Sequence, residues 1–77
     1  MNQILLEELS RNQEAEIISI TGGIMATKRL ADLGLVPGTR IKSLNEAVLA
    51  GPIEIEVRGS RLVLGRGLAA KILVKPI

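Results

Sequence analysis

The chain of 77 residues contains neither cysteine nor histidine. It can form no disulfide, and it lacks the thiolate and imidazole ligands that transition metals most often use. Nucleophile–base pairs would have to be built from serine, threonine, lysine or carboxylates, and no serine lies in a recognisable catalytic motif. Glu54 and Glu56 share a strand face, but the nearby Arg58 favours cross-strand charge pairing over metal binding. No catalytic residue, resident metal or cofactor is expected.

Phenylalanine, tryptophan and tyrosine are also absent. Single-stranded nucleic acids and proline-rich peptides are usually bound by aromatic side chains, so both ligand classes are disfavoured. The core must be built from isoleucine, leucine and valine, which pack well on pleated surfaces. The length predicts a single domain over 1–77.

Neither sign of charge dominates, since ten basic and eight acidic residues give a net charge of +2. The C-terminal third is nevertheless basic, which predicts either an ordinary solvated surface or a face that attracts an acidic partner or an anionic membrane. No apolar stretch is long enough to cross a bilayer, and the N-terminus does not resemble a signal peptide. A cytoplasmic protein without membrane insertion is expected.

The segment 29–39 predicts the end of a helix followed by a turn. Apolar residues at helical spacing precede Gly34, which can adopt the left-handed conformation that ends helices. Leu35 supplies the apolar residue that commonly folds back on the last turn. Pro37 and Gly38 are suited to the two central positions of a type II turn.

One helix is predicted over 24–33. Its expected common stripe contains Met25, Ala26, Arg29, Leu30 and Leu33. The preceding Thr21-Gly22-Gly23 lacks the later lysine of a phosphate-binding loop, so a sharp strand-to-helix turn is expected instead. The residues predicted to form turns or caps are Gly22, Gly23, Gly34, Pro37, Gly38, Gly51, Gly59 and Gly65.

Five short strands are predicted, over 14–20, 40–44, 53–58, 61–64 and 71–75. The isoleucines of the first strand do not alternate cleanly, which indicates a bend or bulge. Gly59-Ser60 predicts a tight hairpin, while Ile4-Leu9 reads as a helical turn or an edge segment. A mainly β five-stranded small barrel with one helix between strands 1 and 2 is predicted, with an open two-layer sheet as the alternative.

The order of these features resembles the FeoA domain family. The resemblance is carried by Leu6-x-x-Leu9, Ile17-x-x-Ile20-x-Gly22-Gly23 and Arg29-Leu30-x-x-Leu33-Gly34-Leu35-x-Pro37-Gly38-Thr39. It is extended by Gly51-Pro52-Ile53, Gly59, Leu62-x-Leu64-Gly65 and Leu68-Ala69-x-Lys71-Ile72-x-Val74. Asn12 stands where the family usually has glycine, a replacement that left-handed geometry tolerates.

The resemblance implies an SH3-like barrel carrying a helix and a role in bacterial ferrous iron uptake and iron homeostasis. Members of the family are small cytosolic partners of FeoB, a membrane protein with a GTP-binding domain and an iron-transporting part. The same domain is appended to metal-dependent transcription regulators as a protein–protein interaction module. The implied function is non-enzymatic: docking on FeoB and modulation of its assembly or activity.

Exposure arguments place the partner contacts on Met25, Val48 and Leu49, with Arg66 and Lys71 as electrostatic guides. The apolar run 47–50 either folds back over the end of the barrel or protrudes toward another chain. Self-association is a further interpretation. The alternative function is a nucleic-acid-binding small barrel of the ribosome-associated type, whose affinity would fall steeply with salt.

Overall fold

The computed structural model describes residues 3–45 and 51–77 of the chain. Within these ranges there are six strands, two α-helices and one 3₁₀ turn. The strands are β1 (Ile4–Leu5), β2 (Glu14–Ile20), β3 (Arg40–Ser43), β4 (Ile53–Val57), β5 (Ser60–Leu64) and β6 (Ile72–Pro76). The helices are α1 (Gly23–Asp32) and α2 (Arg66–Ala69), and the 3₁₀ turn covers Leu6–Glu8.

The six strands form one antiparallel sheet in the order β1-β6-β2-β3-β4-β5. The predicted mainly β fold is confirmed, but the count of five strands is wrong because Ile4–Leu5 adds a short strand beside β6. The long helix therefore lies between the second and third strands. No ladder joins β1 to β5 in the described part of the chain, so the predicted barrel is not closed.

The core is aliphatic, and strand alternation builds most of it. On β4 the alternate residues Ile53, Ile55 and Val57 are buried while the glutamates between them face outward. On β2 the register shifts between Ile17 and Ser19, which confirms the predicted bulge. These inward-facing side chains pack from both ends of the sheet into one cluster.

The predicted helix end and turn are confirmed. Gly34 has a φ of 85°, its N–H donates to the Ala31 carbonyl at 2.8 Å, and the Leu35 N–H donates to the Leu30 carbonyl at 2.8 Å. This pair of hydrogen bonds is the Schellman motif, and Leu35 is fully buried beneath it. After it, Gly38 has a φ of 93° in the turn that leads into β3.

The hairpin between β4 and β5 differs from the prediction by one residue. Its two central residues are Arg58 and Gly59, both with positive φ (52° and 79°), and Ser60 already belongs to β5. Two left-handed central residues define a type I′ turn, which matches the twist of the flanking strands. The prediction missed Arg58 because a positive φ is uncommon outside glycine, asparagine and aspartate.

The predicted apolar stripe of α1 is only partly correct. Ala26 and Leu30 are buried, whereas Met25 is 71% exposed and Leu33 is 42% exposed. Residues four apart share a helix face and adjacent residues are turned by about 100°. Only a narrow strip of α1, formed by Ala26 and Leu30, therefore packs toward the sheet, and the rest of the helix faces solvent.

Candidate functional site

The first turn of α1 carries the most exposed large apolar side chains of the described residues. Ile24 is 83% exposed and Met25 is 71% exposed. Both precede Ala26, which turns inward, so the helix geometry that buries Ala26 directs its two neighbours outward. Such a pair at one helix end is a candidate surface for binding another protein.

Lys71 lies beside this turn. Its carbonyl accepts a hydrogen bond from the Thr21 N–H at 2.8 Å, which ties the start of β6 to the start of α1. A Cβ at Gly22 would lie 2.6 Å from Cε of Lys71, so the aliphatic stem of Lys71 covers Gly22. We call Ile24, Met25 and Lys71 the first-turn patch.

Gly22 is the residue that allows this arrangement. Its φ is 92°, a conformation that residues with a side chain rarely adopt, and a Cβ there would force the end of the Lys71 side chain to move. Lys71 Nζ then reaches the Gly67 carbonyl at 3.4 Å and remains at the surface. The patch thus combines two apolar side chains with one cation, and Lys28 and Arg29 follow on the exposed side of the same helix.

Of the other predicted contacts, Arg66 is the one within the described residues, and it pairs away from the first-turn patch. Arg66, the first residue of α2, forms an ion pair with Glu7 in which Nη2 and Oε2 are 3.8 Å apart. Val48 and Leu49 lie outside the described residues. Of the five predicted contacts, Met25 lies in the first turn of α1, and Lys71 packs over Gly22, the residue just before that helix.

The outer face of the sheet has a different character. Its charged side chains stand in cross-strand rows of alternating sign, because Lys42 lies opposite Glu14 on one side and opposite Glu56 on the other. Glu56 in turn faces Arg61, whose side chain also pairs with Glu54. Opposite charges in such rows stabilise the sheet and leave little net field.

A second row follows the same rule, with Glu16 between Lys75 and Arg40. A groove of about 530 Å³ opens over this face, lined by charges of both signs that include Glu14, Lys42 and Glu56. Of the predicted contacts that the structure describes, Met25, Arg66 and Lys71, none lines the groove. Because Arg40, Lys42 and Arg58 lie beside Glu14 and Glu56 in its lining, the groove offers no concentrated positive surface for a phosphate backbone.

The described ranges contain neither a cluster of metal ligands nor a helix of membrane-spanning character. No group of three or more acidic residues could hold a metal ion there. Over the same ranges, no helix has the length and apolar character needed to span a bilayer.

The sequence-based prediction did not identify two residues that are relevant to this surface. Ile24 was placed inside the helix but not among the contacts, although its position two residues before Ala26 turns it away from the core. Arg58 was assigned to a strand, whereas its Nη1 lies 3.4 Å from the Gly34 carbonyl and places a cation at the C-terminus of α1. A helical-wheel projection would have found the first, but no local signal indicates the second.

The fold and surface define a small mainly β domain with one largely exposed helix. Residues 4–76 match the FeoA domain family. Over 63 residues the chain is 35% identical to the Fe(2+) transport protein A of Methanocaldococcus jannaschii, covering 82% of this chain and 74% of that protein. The chain belongs to the FeoA family.

Solved structures agree with this assignment. The crystal structure of an iron uptake regulatory protein, FeoA, superposes with a TM-score of 0.88 at 32% identity and covers both chains completely. A manganese-dependent transcriptional repressor has a TM-score of 0.87 at 19% identity, covering all of this chain and 38% of the repressor. At that identity the likeness to the repressor shows the fold alone.

Proposed function

We propose that this protein is a non-enzymatic accessory component of ferrous iron uptake that acts in the cytoplasm. It binds the FeoB transporter through the first-turn patch and thereby modulates the transporter's assembly or activity. Family membership supports the ferrous iron process, since a relative with 35% identity is named for Fe(2+) transport.

The observation that carries the proposal is the exposure of Ile24 and Met25. A helix held to the sheet by only Ala26 and Leu30 leaves most of its surface available for a partner. Buried apolar anchors usually dominate the energy of a protein interface, while charges at its rim guide association. Lys71 has the position of such a rim charge.

The test is capture of FeoB from detergent-solubilised membranes by Ile24→Ser and by the matched variant Ile77→Ser. Ile77 is also exposed, at 62%, but lies beside β2 through a backbone hydrogen bond to Glu14 rather than on α1. Ile24→Ser should weaken capture about tenfold, the effect of losing one interface anchor. Ile77→Ser should leave capture unchanged.

Capture is measured at two salt concentrations and with competing RNA. An apolar contact should hold at both salt concentrations, because it depends little on screened charges. Equal loss of capture in both variants would contradict the first-turn patch. Salt-sensitive capture of RNA without FeoB would instead support the nucleic-acid function.

A further inference from the structure

We propose that β5 is a self-association edge at which a second copy of this chain adds its own β5 in antiparallel orientation. The strand lies at the end of the sheet, next to β4 only. This surface is separate from the first-turn patch and does not depend on the proposed function.

The outward-facing groups of β5 follow from the hairpin. Val57 and Ser60 flank the type I′ turn and face each other, so alternate residues Ser60, Leu62 and Leu64 direct their backbone groups toward β4. The N–H and C=O groups of Arg61 and Val63 then point away from the sheet. Over the described residues no backbone hydrogen bond reaches them.

Side-chain exposure is compatible with an added strand. Val63 is 55% exposed on the outer face, and Leu62 is partly buried against the core on the inner face. A partner strand would cover apolar area on both faces of this edge. Unpaired backbone groups beside exposed β-branched residues are the usual template for strand addition.

The register identifies a second copy as the occupant. A two-fold axis through Leu62 places Arg61 opposite Val63 of the second copy, and Val63 opposite its Arg61. Each of these two facing pairs exchanges both of its backbone hydrogen bonds, which uses every outward group of the strand. No like charges face each other, and Arg61 keeps its pairing with Glu54.

Other two-fold registers are poorer. An axis through Arg61 sets two guanidinium groups directly opposite each other, which is destabilising. An axis through Val63 sets Arg61 against Gly65, whose carbonyl already accepts the Ala69 N–H at 3.0 Å. The small number of new hydrogen bonds predicts a weak, concentration-dependent dimer at the low end of interface size.

The first test compares Val63→Pro with Val63→Thr by amide hydrogen exchange and translational diffusion. Proline removes the outward N–H and is tolerated on edge strands, whereas threonine keeps the N–H and the β-branched shape. Between about 50 μM and about 2 mM, a range suited to a weak complex, exchange of the Arg61 and Val63 amides should slow several-fold in the native chain. Val63→Thr should behave alike, and Val63→Pro should stay monomeric.

Retained protection of the Leu62 and Leu64 amides confirms that Val63→Pro still folds. The second test needs no proline and uses the absence of native cysteine. Leu62→Cys should form an interchain disulfide under mild oxidation, because the two introduced thiols meet at the axis. Val63→Cys should not, since its two copies lie roughly 9 Å apart, beyond disulfide reach.

Several results would overturn the proposal. They are exchange independent of concentration, equal disulfide formation by both cysteine variants, or undiminished association of folded Val63→Pro. Loss of FeoB capture by Val63→Pro, in a chain that never self-associates, would mean that a strand of another protein occupies the edge. Ile24→Ser should leave self-association unchanged, which separates this test from that of the first-turn patch.

Discussion

The outer face of the sheet and the outer face of α1 are both exposed, but they are organised in opposite ways. On the sheet, cross-strand register gives Lys42 and Glu16 oppositely charged neighbours on both sides. On α1, Ile24 and Met25 face solvent and lie outside the hydrophobic cluster that the described residues form. The charges of the first surface are compensated within the fold. The second surface exposes apolar area, and the free energy falls only when another molecule covers it.

The largest effect on stability is expected at the buried side of α1, which packs against the sheet. Leu30 is fully buried, so Leu30→Ala should lower the free energy of unfolding by about 2–5 kcal/mol through lost burial and a cavity. Leu33→Ala on the same helix removes a 42% exposed side chain and should cost less than about 1 kcal/mol. Urea denaturation measures both. Equal costs would mean that α1 is attached more broadly than its buried residues indicate.

A smaller loss of stability is expected at Gly34, where the C-terminal end of α1 lies beside the β4–β5 hairpin. Gly34→Ala places a side chain at a φ of 85°, with its Cβ 3.0 Å from Nη1 of Arg58. The left-handed conformation should cost about 1–2 kcal/mol. Gly65→Ala is the control, since Gly65 has a φ of −63° and open space around its Cβ position.

Thermal unfolding compares the two glycine variants, and Gly65→Ala should stay within about 0.5 kcal/mol of the native chain. If Gly65→Ala lost as much stability as Gly34→Ala, the effect would come from the general flexibility of glycine and not from the left-handed conformation at Gly34. The role assigned to the Schellman motif would then be wrong.

The charge rows are tested by Lys42→Glu, which sets three carboxylates side by side with Glu14 and Glu56. The expected loss is about 0.5–1 kcal/mol at low salt, shrinking as salt screens the repulsion. Lys28→Glu reverses a charge on the exposed side of α1 and should cost less, because no cross-strand neighbours flank it. Chemical denaturation at two ionic strengths distinguishes the two cases, and a salt-independent loss at Lys42 would contradict the electrostatic explanation.

The smallest effect is kinetic. Lys71→Met keeps an unbranched stem that reaches as far as Cε over Gly22 but removes the charge. Association with FeoB should slow two- to threefold at low salt, with dissociation unchanged, as expected for a rim charge. Surface plasmon resonance at two salt concentrations measures this, and a changed dissociation rate would place Lys71 inside the interface.

Much of the fold could be predicted from the sequence wherever local chemistry decides it. Gly34, Leu35 and Pro37 specify their conformations through backbone freedom and ring closure, independent of distant residues. The segment Ile4–Leu9 was predicted as a helical turn or an edge segment, and it contains both, the edge strand Ile4–Leu5 and the 3₁₀ turn Leu6–Glu8. The sequence could not place the boundary between them, because two residues form a strand only when β6 lies beside them. Arg58 was missed for a related reason, because the hairpin imposes a conformation that arginine rarely adopts alone.

The candidate site was predicted less completely than the fold. Met25 and Lys71 were chosen for exposure and charge, and the packing of the Lys71 stem over Gly22 places it beside the helix turn that carries Met25. The helical periodicity that predicted α1 also places Ile24 on the exposed face, but Ile24 was not included among the predicted contacts. Arg66 was predicted as an electrostatic guide, and it pairs with Glu7 across a separation of 59 positions that no local pattern reveals.

The position of β6 has a consequence for biosynthesis. It is the last strand in chain order, yet it lies between β1 and β2, second from one edge of the sheet. While the ribosome is still producing the preceding strands, the residues of β1 and one edge of β2 have no partner to pair with. Such long-range closure slows folding and extends the time during which nascent strand edges attract chaperones or aggregate.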